Sequence, residues 1–154
     1  MSEQARLQPF AETSRQPGKT LGHKVKMLVA GTPPALFQVI EYLFRGWPEF
    51  EIVESSRGAR GVGPQGARPR PELIVVNVDP LRTGVCRTVQ SFKRSSPGSK
   101  LILICPVKGF AHSARRCGAD ACLEAEALVG RLLRTAQRLA RASQAELLLP
   151  KKRS

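Results

Sequence analysis

The segment PELIVVNVDP, residues 71–80, gives the first indication of the fold class. Residues 73–78 are apolar except for Asn77, and prolines bound the run, so it predicts a buried strand. Asn77 and Asp79 are polar at the end of this strand, and residues two apart on a strand point to the same face. Open α/β sheets bind ligands at the carboxyl ends of their strands. The stretch therefore predicts either a working site or the remains of one.

Apolar runs and helical patterns alternate on both sides of this strand. The other predicted strands are 25–30, 51–54, 100–105 and 121–123, and the predicted helices are 35–45, 83–94, 110–118 and 126–143. Strands that alternate with helices in this way indicate an α/β fold, with a parallel sheet covered by helices on both faces.

Residues 55–71, SSRGARGVGPQGARPRP, interrupt the alternation. The density of Gly and Pro predicts an irregular loop where a helix would be expected. Within the loop, GVGPQG matches the GxGxxG pattern of dinucleotide sites, but that pattern must open a helix. Pro64 and Pro69 argue against such a helix, so no nucleotide cofactor is predicted.

Composition sets the broad class of the protein. A length of 154 residues suits one domain, which we predict at 24–143 between a flexible tail (1–23) and a basic tail (144–154). No apolar run approaches the 18 residues or so of a membrane span, and no secretory signal is recognisable, so a cytoplasmic protein is expected. The four cysteines form no CxxC pair, which argues against zinc and predicts small buried thiols.

Four segments carry a resemblance to a known family. They are KMLVAGTPPALF (26–37), RPELIVVNVDP (70–80), SSPGSKLILICP (95–106) and CGADACL (117–123). In order and spacing they resemble the receiver (CheY-like) domains of bacterial response regulators, especially those that precede a LuxR/NarL-type DNA-binding domain. The resemblance covers about residues 24–142. It implies a flavodoxin-like three-layer sandwich with a five-stranded parallel sheet in the order 2-1-3-4-5, in which the 55–71 loop replaces the second helix.

The resemblance also implies a chemistry, phosphoryl transfer to an aspartate, whose residues this sequence lacks. The matching positions are Ala30 and Gly31 for the Mg²⁺-holding acidic pair, Asn77 for the acceptor, Cys105 for the hydroxyl and Ala125 for the lysine. Magnesium needs oxygen ligands, and the transferred group needs positive charge. The sequence therefore predicts a degenerate receiver without metal or catalytic residues.

Asp79 offers an alternative acceptor. It lies two residues after Asn77, but it also precedes Pro80, and Asp-Pro is common in turns. A carboxylate there would lack the acidic pair and the lysine that support the family's acceptor.

A basic helix face is the second candidate site. The net charge is +13, and Arg131, Arg134, Arg138 and Arg141 follow steps of three and four residues on one face of the last predicted helix. The opposite face is predicted to pack through Leu132, Leu133, Ala136, Leu139 and Ala140. Such a row is either a solvated face or a contact surface for an anionic partner.

Three functional hypotheses follow. The first is a stand-alone pseudo-receiver in bacterial signalling, which is not an enzyme, needs no cofactor and binds a protein with an acidic surface through the arginine face. A homodimer through the last helix remains open in this hypothesis. The second is a nucleic-acid-binding regulator that uses the arginine face and the Arg-Gly loop. The third is a phosphorelay receiver that uses Asp79.

Overall fold

The computed structural model describes residues 23–56, 70–79, 84–105 and 108–148. The strands are β1 (Val25–Ala30), β2 (Phe50–Ser56), β3 (Leu73–Asn77), β4 (Lys100–Cys105) and β5 (Ala121–Glu124). The helices are α1 (Pro34–Arg45), α2 (Val85–Ser95), α3 (Ala111–Arg116) and α4 (Leu128–Leu148), and a single 3₁₀ turn (Ala125–Ala127) precedes α4. None of these helices combines the length and the apolar character needed to cross a bilayer.

The five strands form one parallel sheet, as the alternation predicted, in the order β2-β1-β3-β4-β5 that the resemblance implied. The inner strands bury both faces because their apolar residues are continuous rather than alternating. In β1, for example, Met27 and Val29 point into one core and Leu28 and Ala30 into the other.

Helices cover both faces of the sheet. On one face, α1 contributes Ile40 and Phe44, and α4 contributes a buried stripe of leucine and alanine. On the other face, α2 contributes Phe92 and the short α3 contributes Ala114. Phe92 is 2% exposed, and burial of such a side chain stabilises the fold by about 1.5–3 kcal/mol.

Several element bounds differ from the sequence-based predictions. Helix α4 continues to Leu148 instead of ending at 143, because residues 144–148 are good helix formers. In addition, Lys100 Nζ lies 2.7 Å from Glu146 Oε1, so an ion pair joins the last turns to β4. Strand β2 extends from 50 to 56, beyond the predicted 51–54. Most of the predicted Gly/Pro/Arg loop, together with residues 1–22 and 149–154, lies outside the described residues.

Strand β3 ends at Asn77, one residue earlier than predicted. The Val78 N–H still donates a hydrogen bond to the Ile104 carbonyl, with an N–O distance of 3.0 Å. Asp79 follows outside the strand and is exposed. The expectation that Asn77 and Asp79 share a face of one strand is therefore wrong.

Candidate functional site

The carboxyl ends of the parallel strands meet at one edge of the sheet. Ala30 is opposite Val76, Asn77 is opposite Ile104, and Cys105 is opposite Glu124 in the strand register. Asn77 therefore lies one register step beyond Ala30, and Cys105 lies one step beyond Asn77. Ala125, in the 3₁₀ turn directly after β5, is exposed at the same edge.

Asn77 and Gly31 approach each other closely at this edge. The Asn77 Nδ2 donates a hydrogen bond to the Gly31 carbonyl oxygen at 3.4 Å. Gly31 has φ +66°, and a Cβ added to it would lie 2.8 Å from the Asn77 carbonyl oxygen. No side chain fits at position 31 unless the backbone moves, so this loop conformation excludes a carboxylate there.

The matched positions on β1 and β4 carry an apolar and a sulfur-bearing side chain. Ala30 is completely buried, and Cys105 is 1% exposed. Among the residues that the structure describes, no group of three or more His, Cys, Asp and Glu side chains could hold a metal ion. Because Mg²⁺ binds through oxygen ligands and usually through carboxylates, the donors present here do not fit that ion.

Two cysteines meet beneath this edge, on neighbouring strands. The Cys105 and Cys122 sulfurs are 3.5 Å apart, a distance at which one thiol donates a hydrogen bond to the other. The hydrogen bond from Cys105 lowers the pKa of Cys122, and Arg115 lowers it further, while burial and Glu124 oppose this shift. The hydrogen bond to Cys122 and burial raise the pKa of Cys105. The half-buried Cys122 is therefore the member of the pair that ionises first.

The other two cysteines form a disulfide, Cys86–Cys117, with a Cα–Cα distance of 5.2 Å. Cys86 is exposed on α2, and Cys117 is half-buried immediately after α3. The prediction of four small buried thiols is therefore wrong for this pair. The partners are 31 residues apart in sequence, so no local spacing pattern could have indicated the bond.

The arginine face of α4, defined as Arg131, Arg134, Arg138 and Arg141, is exposed along its whole length. On the opposite side Leu132, Ala136, Leu139 and Ala140 are buried, and Leu133 is half-buried. The helical pattern therefore predicted the orientation of α4 correctly. Within the described residues, none of these four guanidinium groups forms a salt bridge.

Sequence comparison finds no matching family model and no significantly similar curated protein. Solved structures do match. They include the RcsB response regulator of Salmonella typhimurium (12% identity, TM-score 0.68, 82% of this chain and 66% of that chain). The response regulatory domain of MrkE from Klebsiella pneumoniae has 18% identity and a TM-score of 0.65, over 78% of this chain and 98% of that chain.

A third match is in the complex of the CheA3 P1 domain with CheY6 from R. sphaeroides (18% identity, TM-score 0.63, 78% of this chain and 99% of that chain). The chain thus spans about two thirds of the RcsB chain and nearly the whole of the smaller receiver structures. Together with the sheet order, these matches establish that the chain has the CheY-like receiver fold of response regulators.

Proposed function

We propose that this chain is a degenerate receiver module of bacterial signalling that binds a protein partner without phosphoryl transfer. The observation that carries the proposal is the exposed arginine face of α4, which forms no salt bridge within the described part of the chain. In this proposal the protein works in the cytoplasm as an interaction module and not as an enzyme.

The carboxyl edge of the sheet supports independence from phosphorylation. Phosphoryl transfer to a protein needs a nucleophile, a metal or cation for the charge of the phosphoryl group, and room for that group. Asn77 carries a neutral amide, and this amide donates a hydrogen bond to the Gly31 carbonyl oxygen. Ala30, Gly31 and Ala125 provide neither a metal ligand nor a cation.

The arginine face supports binding to an acidic protein surface. Residues 131–141 span about 15 Å of helix, a length comparable with nearly three turns of a partner helix or with a short strand. The only acidic side chain in α4, Glu146, pairs with Lys100 and not with the arginines. The row therefore presents uncompensated positive charge, which would attract and orient an anionic partner.

The test neutralises the face while keeping side-chain length. We expect a variant with Arg131, Arg134, Arg138 and Arg141 changed to Gln to fold normally, because Gln is nearly as good a helix former as Arg. Partner binding should weaken at least about tenfold, or 1.4 kcal/mol. The partner would be recovered from native extracts, identified, and titrated in purified form. Its affinity should also fall as the salt concentration increases.

A matched control removes the same charge elsewhere. Arg45, Arg87, Arg94 and Arg116 are exposed on the other three helices, and their replacement by Gln should leave partner affinity within about twofold of the wild-type value if the site is on α4. A quadruple α4 variant that binds as tightly as the wild type would contradict the proposal. Sedimentation of the same variants measures whether the partner is a second copy of this chain.

Nucleic acid is the second candidate partner, favoured by the net charge of +13. Each phosphate neutralised by a Lys or Arg makes log K fall more steeply with log salt, with a slope of about −0.9 per phosphate. Tight binding of duplex DNA, with a steep salt dependence that the α4 substitutions reduce, would identify nucleic acid and not an acidic protein as the partner. The Arg-Gly stretch that this hypothesis also uses lies outside the described residues.

A further inference from the structure

The fold brings all four cysteines of the chain into two pairs on the same side of the sheet. The outer pair, Cys86–Cys117, joins α2 to the end of α3. The inner pair, Cys105 and Cys122, lies on the neighbouring strands β4 and β5. Cys105, Cys117 and Cys122 all pack into the hydrophobic core beneath α2 and α3.

We propose that Cys86 and Cys117 form a reversible modification site for small disulfides such as oxidised glutathione, and that closing this bridge fixes α3 over the inner thiol pair. The outer pair can reach a soluble reagent because Cys86 is exposed. The Cα–Cα distance of 5.2 Å is ordinary for a disulfide, so the bond can form in this arrangement of α2 and α3.

The position of Cys86 suits thiol–disulfide exchange. It is the second residue of α2, which begins at Val85. Unpaired N–H groups and the helix dipole stabilise negative charge in the first turn of a helix, which favours a thiolate as nucleophile and leaving group. Cys117 follows α3 directly, so it can approach Cys86 as α3 settles on α2.

Helix α3 is the shortest of the described helices, so the bridge would add to a small set of contacts. It has six residues, too few to be stable as an isolated helix, and only Ala114 is fully buried. Its most extensive contacts are with β5 and α2. Ala114 of this helix packs in the same core cluster as Cys105 and Cys122. Movement of α3 would therefore change access to Cys122.

The exchange balances in atoms and electrons. The Cys86 thiolate attacks one sulfur of the small disulfide, whose S–S bond breaks and releases one thiolate. The Cys117 thiolate then attacks the Cys86 sulfur of the mixed disulfide and expels the second thiolate. Two protein thiols are oxidised to one disulfide, the reagent is reduced to two thiols, and the two thiol protons end on those products.

The test equilibrates the full-length protein with glutathione at different ratios of reduced to oxidised form, and then alkylates it with iodoacetamide. Trypsin separates the cysteines into peptides 83–87 (Cys86), 101–108 (Cys105) and 117–131 (Cys117 and Cys122). A link between 83–87 and 117–131 reports the outer bridge, and fragmentation between Cys117 and Cys122 assigns each sulfur. We expect this link to form and to disappear reversibly as the ratio changes.

The alkylation rate of Cys122 measures the second half of the proposal. With the bridge closed, we expect Cys122 to react at least about tenfold more slowly than after reduction, as expected where access requires local opening. Cys86→Ser and Cys117→Ser should give the fast rate at every glutathione ratio. If either variant fails to fold, wild-type protein at the two extremes of the ratio provides the same comparison.

Two results would overturn the proposal. One is an equal Cys122 rate in the bridged and reduced proteins, which would show that α3 does not control access. The other is glutathione retained on Cys86 without a link to Cys117, which would show that the outer pair does not close by exchange.

Discussion

Asn77 and Gly31 hold the ends of β3 and β1 together through a donor–acceptor pair and a close backbone approach. The Asn77 Nδ2 lies 3.4 Å from the Gly31 carbonyl oxygen. A carboxylate at position 77 could not supply this donor, because an ionised carboxylate only accepts hydrogen bonds. The contact therefore gives a local physical reason for an amide at the position where the resemblance implies an acceptor aspartate.

Asn77→Asp should destabilise the protein at neutral pH. The half-buried carboxylate would face the Gly31 carbonyl, acceptor against acceptor, and an unpaired polar group of this kind costs about 1–3 kcal/mol. The destabilisation should shrink at acidic pH, where the protonated carboxyl can donate. Urea unfolding at pH 7 and near pH 4 measures the loss of unfolding free energy and its decrease in acid. Asn77→Ala is the control that lacks the charge. Equal stability of Asn77→Asp and the wild type at pH 7 would argue against the contact.

Gly31→Ala should destabilise the protein because of backbone conformation and close approach. The φ of +66° disfavours any residue with a Cβ by about 1–2 kcal/mol, and the approach to the Asn77 carbonyl adds to this. Gly46 is the matched control: its φ is −82°, and a Cβ added there would meet no atom within 4 Å. Gly46→Ala should be neutral or stabilising by up to about 1 kcal/mol. Thermal unfolding of both variants gives the comparison.

Acetyl phosphate with Mg²⁺ should leave the mass of the intact protein unchanged. The described part of the chain has no cluster of metal ligands, and Asn77 is not a carboxylate nucleophile. Asp79→Ala is the informative variant, because Asp79 is the nearest exposed carboxylate along the chain after Asn77. A phosphoryl adduct on the wild type that disappears in Asp79→Ala would reject the degenerate-receiver proposal in favour of a non-standard phosphorelay receiver.

Asp120→Asn should cost more stability than an equivalent change at the surface. The Asp120 Oδ2 accepts hydrogen bonds from Lys93 Nζ at 2.7 Å and from the Leu101 N–H at 2.8 Å, which ties α2 to the sheet. Loss of the charge from this partly buried network should cost about 1–3 kcal/mol. Glu146→Gln, which removes the exposed partner of Lys100, should cost about 0–1 kcal/mol. Similar losses of unfolding free energy in the two variants would mean that partial burial does not strengthen the Asp120 interactions.

The reactivity of Cys122 in the reduced protein should depend on Cys105. The Cys105 thiol donates to the Cys122 thiolate and lowers its pKa, and Arg115 acts in the same direction, against burial and Glu124. Without this donor, in Cys105→Ala, the pKa of Cys122 should rise, so the midpoint of its alkylation rate should move to higher pH. A midpoint that stays in place would assign the shift to Arg115 alone, which Arg115→Gln tests.

Local patterns in the sequence predicted the strand-and-helix alternation, and the resemblance supplied the sheet order. The strand LIVVN could be recognised as a short continuous apolar run, and the helix containing the arginine face because its apolar spacing follows the helical period. The end of α4 was predicted less accurately, because residues 144–148 can be either helical or irregular by sequence. The ion pair that joins them to β4 is a long-range contact.

The amino-acid order alone identifies the groups that this chain can offer: an amide, a thiol, a glycine and two alanines at the matched positions, and a row of arginines on one face of a helix. Which of these groups meet depends on tertiary packing. The pairing of Cys86 with Cys117 and of Cys105 with Cys122, and the approach of Gly31 to Asn77, join residues 31, 17 and 46 positions apart. Such contacts depend on how the helices and strands pack, and no local periodicity encodes that packing.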